Sequence, residues 1–235
     1  MTTVFVAPQQ WEGEWLELSG AEHHHLFRVG RMAVGDSLRL ADGAGRARMG
    51  SVEFVSRHLA RIRLGARVPA NEPHVEVQLL VVAPKKPRAE WLIEKTTELG
   101  VHAVRFLRSA RGPRAFGEGA FERFRRIAVS AAAQSGRARV PEVTGIHESE
   151  EIGRLVPESA GAFVLDSSGD GSGSRLAAAA GLESTSLLVG PEGGWTRGEL
   201  AEFSELGFSL VALGPRVLRV ETAAIVAVAA CVASD

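Results

Sequence analysis

Two glycine-containing stretches in the C-terminal half have the residue types and spacing of a ligand site. The first, LLVGPEGGW (187–195), is an apolar run that enters a glycine-rich turn. The second, VALGPRVLRVETAA (211–224), is an apolar run that ends in Gly-Pro and is followed by arginine, glutamate and threonine. Glycine lets a ligand approach the backbone, whose amides can donate hydrogen bonds, and ligands of open α/β sheets bind at the carboxyl ends of the strands. We therefore expect both stretches to face one pocket, with a ligand-free turn or surface loop as the alternative for either stretch alone.

The sequence does not match other common binding motifs. It contains no GxxxxGK[ST], and SGDGSGSR (168–175) has Ser174 where a dinucleotide fingerprint needs its third glycine. The three consecutive histidines (23–25) cannot converge on one ion from a helix or a strand. A single cysteine, Cys231, excludes an internal disulfide, and its apolar surroundings indicate an inert core thiol. The sequence therefore predicts neither a metal site nor a nucleotide-triphosphate loop.

Composition predicts a soluble globular protein. The chain has 235 residues, of which 45% are hydrophobic and 23% charged, and this excludes a disordered or collagen-like chain. The longest uncharged stretch near the C-terminus, 222–234, has 13 residues, whereas a bilayer-spanning helix needs about 20. The N-terminus lacks the basic and apolar regions of a secretory signal. These features predict a cytoplasmic protein without a membrane segment.

Charge is distributed unevenly along the chain. The formal net charge is −1, but residues 85–139 carry +8 and residues 140–235 carry −9. A basic segment inside a nearly neutral protein indicates a localised site for a polyanion, with a solvated helix face as the alternative. Only three of the 27 cations are lysine, and arginine favours bidentate contacts with phosphate and with bases.

Hydrophobic patterning divides the chain into two domains, at 1–70 and 74–235. Short apolar runs between Gly/Asp turns predict a small β-barrel in the first. Alternating β and α segments predict a mostly parallel α/β sheet in the second, where T-x-x-E at 196–199 forms a helix capping box. The predicted strands lie at 4–6, 37–40, 47–55, 60–64, 75–82, 101–107, 162–166, 185–189 and 210–213, and the predicted helices at 21–32, 87–99, 121–135, 196–207 and 222–233.

Five motifs in order along the chain resemble the ribosomal RNA small subunit methyltransferase E family of the SPOUT superfamily. The two glycine-containing stretches are similar to its LVGPEGGW and LGPRVLRVETAA segments. HHHLFRVGRMAVGD (23–36), EKTTELGV (94–101) and AAQSGRARVPEV (132–143) resemble three further signatures. Gly30 departs from the family, which usually has a bulkier apolar residue before Arg31.

The resemblance implies an α/β fold, with a trefoil-knotted SPOUT methyltransferase domain after an N-terminal PUA-like β-barrel that binds RNA. Such a knot is one of the known exceptions to the rule that chains avoid knots. Family members are homodimers that hold S-adenosylmethionine (SAM) between the two glycine-containing loops, near the subunit interface. The implied reaction is methylation of uracil N3 of one uridine in the 16S rRNA of the small ribosomal subunit.

The chemistry of the implied reaction then indicates candidate roles for residues of this chain. Arg219 is the candidate that stabilises charge on the uracil oxygens, and Glu221 takes the N3 proton or orients Arg219. A first-turn acid of the last helix is the alternative for Glu221, and Trp195 either stacks on a base or covers the loop. The candidate SAM-binding residues are Gly190, Pro191, Glu192, Gly193, Gly194, Leu213, Gly214, Leu218 and Thr222. The candidate RNA-binding residues are Arg28, Arg31, Lys85, Lys86, Arg88, Lys95, Arg108, Arg111, Gln134 and Arg137.

Two other functions remain open at the level of the sequence. One is an RNA-binding or ribosome assembly factor that keeps the fold and has lost catalysis. The other is a SPOUT methyltransferase that acts on another RNA or on a ribose hydroxyl. The first methyltransferase reading and the assembly factor both predict a basic face, but the intact glycine-containing loops favour the enzyme. The RNA substrate and the modified atom separate the other methyltransferase from the first.

Overall fold

The chain forms two compact units, one of which is discontinuous in sequence. In this computed structural model, the described residues are 3–7, 10–108, 116–157, 161–169 and 173–233. The first unit comprises Met1–Glu72 together with Ala132–Val140, and the second comprises Pro73–Ala131 together with Pro141–Asp235. The domain limits at 1–70 and 74–235 stay a prediction.

A five-stranded sheet with the order β1-β3-β4-β5-β2 forms most of the first unit. Its strands are β1 (Thr3–Phe5), β2 (Trp15–Ser19), β3 (Ser37–Ala41), β4 (Ala47–Val55) and β5 (Leu59–Val68). Strand β1 runs parallel to β3, and the other pairs are antiparallel. Alternation along β5 turns Ile62 into the core and leaves Arg61 and Arg63 exposed, as expected for a sheet with one buried face.

The predicted helix at 21–32 is shorter and less regular than expected. Helix α1 (Gly20–His23) continues directly into a π-helical turn over His24–Val29. The N–H of Gly30 donates to the carbonyl of His25, and Arg31 then adopts a φ of 57°, in the left-handed region. The helix ends there because a left-handed residue cannot continue a right-handed helix.

Residues 132–140 are anchored to the first unit by a buried ion pair. Arg137 is 2% exposed, and its Nε and Nη2 donate to Glu72 Oε2 over 3.0 and 2.6 Å. The other carboxylate oxygen of Glu72 accepts the backbone N–H groups of Ala138 and Arg139, each over 2.9 Å. Ala138 also donates from its backbone to the carbonyl of Ala70. Charge-assisted hydrogen bonds of this kind are stronger than neutral ones, so Glu72 fixes the path of this segment.

The second unit contains a six-stranded sheet in which all neighbouring strands are parallel. The strand order is β11-β9-β10-β6-β7-β8, and it places β6 and β10 at the centre. The strands are β6 (Glu76–Val82), β7 (Ala103–Leu107), β8 (Glu142–His147), β9 (Gly161–Leu165), β10 (Ser184–Val189) and β11 (Ser209–Val211). Leu79–Val82 and Leu187–Val189 are buried, which explains why these strands are continuous apolar runs.

Helices flank this sheet. They are α2 (Lys86–Leu99), α3 (Glu118–Ser135), α4 (Ile152–Leu155), α5 (Gly173–Ala178), α6 (Arg197–Glu205) and α7 (Val220–Val232). The capping box of α6 is confirmed, because Thr196 accepts from the N–H of Glu199 while the Glu199 carboxylate accepts from the N–H of Thr196. No helix among the described residues is long and apolar enough to cross a membrane. Burial of Cys231 in α7 raises the pKa of its thiol to about 12, which keeps it protonated and unreactive at neutral pH.

Candidate active site

Three neighbouring strands end at an open cleft of about 650 Å³. Because β10, β9 and β11 are parallel and adjacent, the segments that follow Val189, Leu165 and Val211 meet at one edge of the sheet. The loop 190–194 and the segment 213–218 both line this cleft. The structure thus brings the two glycine-containing stretches together, and we call the space between them the first cleft.

Six of the nine candidate SAM-binding residues line the first cleft. They are Gly190, Pro191, Glu192, Gly194, Leu213 and Leu218. The other three candidates lie outside this lining. They are Gly193, Gly214 and Thr222, and each is next in sequence to a lining residue. Asp166 and Arg216 also line the cleft, and sequence reasoning assigned neither of them. The signal for Asp166 was its position at the end of a predicted strand, where ligand-binding side chains of α/β sheets are found.

The indole ring of Trp195 packs against the glycine-rich loop. A Cβ atom added to Gly190 would lie 2.6 Å from Cε2 of the Trp195 indole, so only glycine fits under this ring. The indole packs edge-on against Phe203 with centroids 4.9 Å apart, inside the cluster that also contains Phe208. The ring therefore covers the loop and joins it to the core, while its edge lines the first cleft.

Gly190→Ala is expected to destabilise the protein by about 1–3 kcal/mol, because the added methyl group forces the Trp195 ring away from the loop. Urea unfolding should show the loss, and near-ultraviolet circular dichroism should show the change in indole packing. The matched control is Gly198→Ala, since a Cβ there has no neighbour closer than 3.9 Å. Equal stability of the two variants would contradict this account of Gly190.

Arg88 connects two carboxylates beside the first cleft. Its Nη1 donates to Oε1 of Glu192, in the glycine-rich loop, and its Nε lies 3.6 Å from Oε1 of Glu221, in the first turn of α7. The Glu221 side chain is 8% exposed, and its Oε2 is buried with no hydrogen-bond partner in the described chain. Buried polar atoms are usually paired, so this unpartnered oxygen sets Glu221 apart from a structural carboxylate, although Glu221 lines neither this cleft nor the one at the end of β6. Sequence reasoning placed Glu221 beside Arg219, whereas the structure pairs it with Arg88.

A second cleft, of about 430 Å³, adjoins the first at the carboxyl end of β6. It is lined by the segment 82–85 together with Pro191, Glu192 and Val220. The last three residues also line the first cleft, so the two spaces share one wall. Because β6 and β10 are neighbouring parallel strands, the two clefts lie side by side at the same sheet edge.

Comparisons with known proteins match the chain to two domain models and to named relatives. A family model described as an RNA methyltransferase domain matches residues 71–232, and one described as an RNA methyltransferase PUA domain matches residues 18–65. The ribosomal RNA small subunit methyltransferase E of Mycobacterium bovis is 38% identical over 91% of this chain and 84% of its own length. This chain belongs to the ribosomal RNA small subunit methyltransferase E family. The relative of that name from Bacillus subtilis is 31% identical over 93% of this chain and 90% of its own length.

A solved structure of the family has the same fold. The ribosomal RNA small subunit methyltransferase E of Neisseria gonorrhoeae, bound to SAM, superimposes with a TM-score of 0.87 at 28% identity. The match covers 98% of this chain and 96% of that one. Family membership confirms the resemblance and the fold class, an α/β methyltransferase domain preceded by a PUA domain. The trefoil knot stays a prediction.

The candidate catalytic arginine lies outside the lining of the first cleft. Arg219 is exposed at the N-cap of α7, and its backbone carbonyl accepts from the N–H of Ala223. Its guanidinium forms no hydrogen bond or ion pair with the part of the chain that the structure describes. It is next in sequence to Leu218 and Val220, which line the first cleft.

The candidate RNA-binding residues differ in their availability. Exposed side chains belong to Arg28, Arg31, Lys85, Lys86, Arg108 and Gln134. Lys95 is tied to Glu94 and Glu98, at 2.7 and 2.8 Å, and these hydrogen bonds raise the pKa of its ammonium group. Arg111 lies outside the described residues.

Arg137 requires a correction. Sequence reasoning assigned it to RNA, but its guanidinium is buried against Glu72 within the first unit, so it acts as a structural residue. Among the described residues, no group of three His, Cys, Asp or Glu side chains is arranged to hold a metal ion.

Proposed function

We propose that this protein transfers a methyl group from SAM to N3 of one uridine in the 16S rRNA of the small ribosomal subunit. The observation that supports this most is the first cleft, where both glycine-containing loops of the family meet at one sheet edge. Relatives at 31% and 38% identity are named for methylation of small subunit ribosomal RNA. The solved relative from Neisseria gonorrhoeae is bound to SAM.

The first cleft fits SAM in its chemistry. The cleft is open to solvent, and Leu213 and Leu218 in its lining offer apolar surfaces for the adenine ring. The carboxylates of Asp166 and Glu192 suit a positively charged sulfonium. We expect the loop 190–194, with Gly214 and Thr222 nearby, to hold the cofactor through backbone amides. When bound, SAM supplies an electrophilic methyl group.

The residues around the clefts can prepare uracil N3 for the reaction. N3 carries a proton and is a weak nucleophile until that proton leaves. Glu221 Oε2, buried and without a partner in the described chain, is the proposed acceptor, and Arg88 holds the carboxylate in place through Oε1. Loss of the proton leaves negative charge on the uracil oxygens, which the guanidinium of Arg219 stabilises.

The proposed partners are the small ribosomal subunit and a second copy of the chain. Three apolar side chains of the second unit are exposed, namely Trp91 (45%), Val217 (88%) and Val226 (43%). Their burial between two copies of the chain would stabilise a homodimer.

The exposed cations of the RNA-binding set would contact phosphates of the rRNA, so RNA binding should weaken as the salt concentration rises. The proposed location is the cytoplasm, where the ribosomal subunits are.

Loss of the gene is expected to remove 3-methyluridine from 16S rRNA. Mass spectrometry of rRNA from cells with and without the protein checks this, and complementation with the wild-type gene is the control. Unchanged 3-methyluridine would contradict the proposal. Calorimetry with SAM separates the alternatives in that case, because an inactive assembly factor would bind no SAM, whereas an enzyme for another RNA would.

A further inference from the structure

The second cleft has the features of a pocket for a planar base. Its walls include Val82, Pro84, Pro191 and Val220, which are buried apolar residues that can contact the faces of a ring. Only two residues of its lining are charged, Lys85 and Glu192. Small-molecule sites typically combine apolar walls with a small number of polar groups that orient the ligand.

Two helices begin at this cleft. Lys85 is the N-cap of α2 and Val220 is the first residue of α7, and neither N-cap side chain hydrogen-bonds the helix it precedes. The first amides of a helix have no intrahelical acceptor, and the aligned peptide dipoles place partial positive charge there. At α2, Pro87 has no N–H and Arg88 donates to the carbonyl of Lys85, so it is the partial positive charge of the two helix ends that favours a ligand developing negative charge.

Lys85 adds a full positive charge to the partial positive charges of the two helix ends. Its side chain is exposed, and its ammonium forms no hydrogen bond or ion pair with the described part of the chain. Arg88 joins Glu192 of the cleft wall to Glu221, because its Nη1 donates to Glu192 and its Nε lies 3.6 Å from Oε1 of Glu221. The lining of the second cleft therefore supplies a cation for an anionic oxygen, and it is linked through Arg88 to the carboxylate of Glu221.

We propose that the second cleft holds the target uracil of the RNA, with its ring against Pro84, Pro191 and Val220 and a carbonyl oxygen toward Lys85. This deepens the proposed function and rests on it. The shared wall at Pro191 and Glu192 sets the base directly beside the first cleft. Lys85 and the two helix ends stabilise the negative charge that uracil develops on losing its N3 proton.

Lys85→Met is expected to lower kcat on the order of 10²-fold, the loss observed when one donor to a developing oxyanion is removed. Methyl transfer would be measured with saturating small subunits from a strain that lacks this protein. The dissociation constant for SAM, measured by calorimetry, should not change, because Lys85 is outside the first cleft. Arg125→Met, which removes an exposed cation of α3 that belongs to neither cleft, is the control and should leave kcat and KM unchanged.

A second variant tests whether methyl transfer requires the second cleft to be open. Ala83→Leu adds bulk to a wall of the second cleft only, so methyl transfer should fall at least tenfold while SAM still binds. Thermal unfolding confirms that the variant is folded. The proposal is overturned if the folded, SAM-binding Ala83→Leu protein transfers methyl at the wild-type rate. It is also overturned if Lys85→Met raises KM and reduces the salt dependence of binding without changing kcat, since Lys85 would then contact phosphate. Failure of the wild-type protein to methylate the subunits would instead contradict the proposed function.

Discussion

Arg219→Ala is expected to reduce methyl transfer by about 10²- to 10³-fold, which corresponds to about 2.7–4 kcal/mol of transition-state stabilisation. The guanidinium is exposed beside Leu218 and Val220 and forms no bond with the described chain, so it is free to face the uracil oxygens. Binding of SAM should stay close to wild type, because Arg219 does not line the first cleft. Single-turnover transfer to unmodified small subunits and calorimetry with SAM measure the two effects separately.

Arg216→Ala provides the contrast within the same loop. Arg216 lines the first cleft, and its removal is expected to weaken SAM binding, so the two arginines should separate affinity for the cofactor from the rate of transfer. The assignment of Arg219 fails if Arg219→Ala transfers methyl at a rate within twofold of wild type.

Glu72→Ala is expected to lower the free energy of unfolding by about 3–5 kcal/mol, because it leaves Arg137 buried without a counter-charge. The substitution also removes the acceptor of the N–H groups of Ala138 and Arg139. Since small domains are stable by only about 5–15 kcal/mol, this is a large part of the total. Urea unfolding followed by circular dichroism measures it, and Glu72→Gln, which keeps one carbonyl acceptor, should lose less.

Glu17→Ala is the matched control for this prediction. It breaks the ion pair between Arg61 and Glu17, whose side chains are 52% and 54% exposed, and exposed pairs of this kind contribute about 0–1 kcal/mol. A Glu72→Ala protein as stable as the Glu17→Ala protein would show that the buried pair does not anchor residues 132–140.

Long periodic segments were predictable from the sequence, and short segments were not. The predicted helices at 87–99 and 222–233 correspond to α2 and α7, within two residues at each end. Strands β2 and β8 were missed. Strand β2 has only five residues, which is too short for its alternation to stand out, and β8 contains a glycine and is mostly half-buried. Helices α4 and α5 are single turns that depend on burial of Ile152 and Leu176, and such tertiary packing leaves little periodic signal.

The loops that form the site were predictable from their sequence motifs. Both glycine-containing stretches were recognised, because each combines an apolar strand with a turn that needs glycine. The roles of Asp166 and Arg88 were not predictable, because they follow from the order of the strands in the sheet. That order places β9 between β10 and β11, and it places β6 beside β10. Arg137 was misassigned for the same reason, since its partner Glu72 is distant in sequence and only the fold brings them together.

The discontinuous first unit has a consequence for synthesis on the ribosome. Residues 132–140 supply the Arg137 that neutralises Glu72 and the amide that binds Ala70. A nascent chain therefore cannot complete its N-terminal unit until residue 140 has left the exit tunnel, when β6, α2 and β7 have already emerged. Unlike an N-terminal domain that folds first and independently, this one must wait for much of its neighbour to be translated.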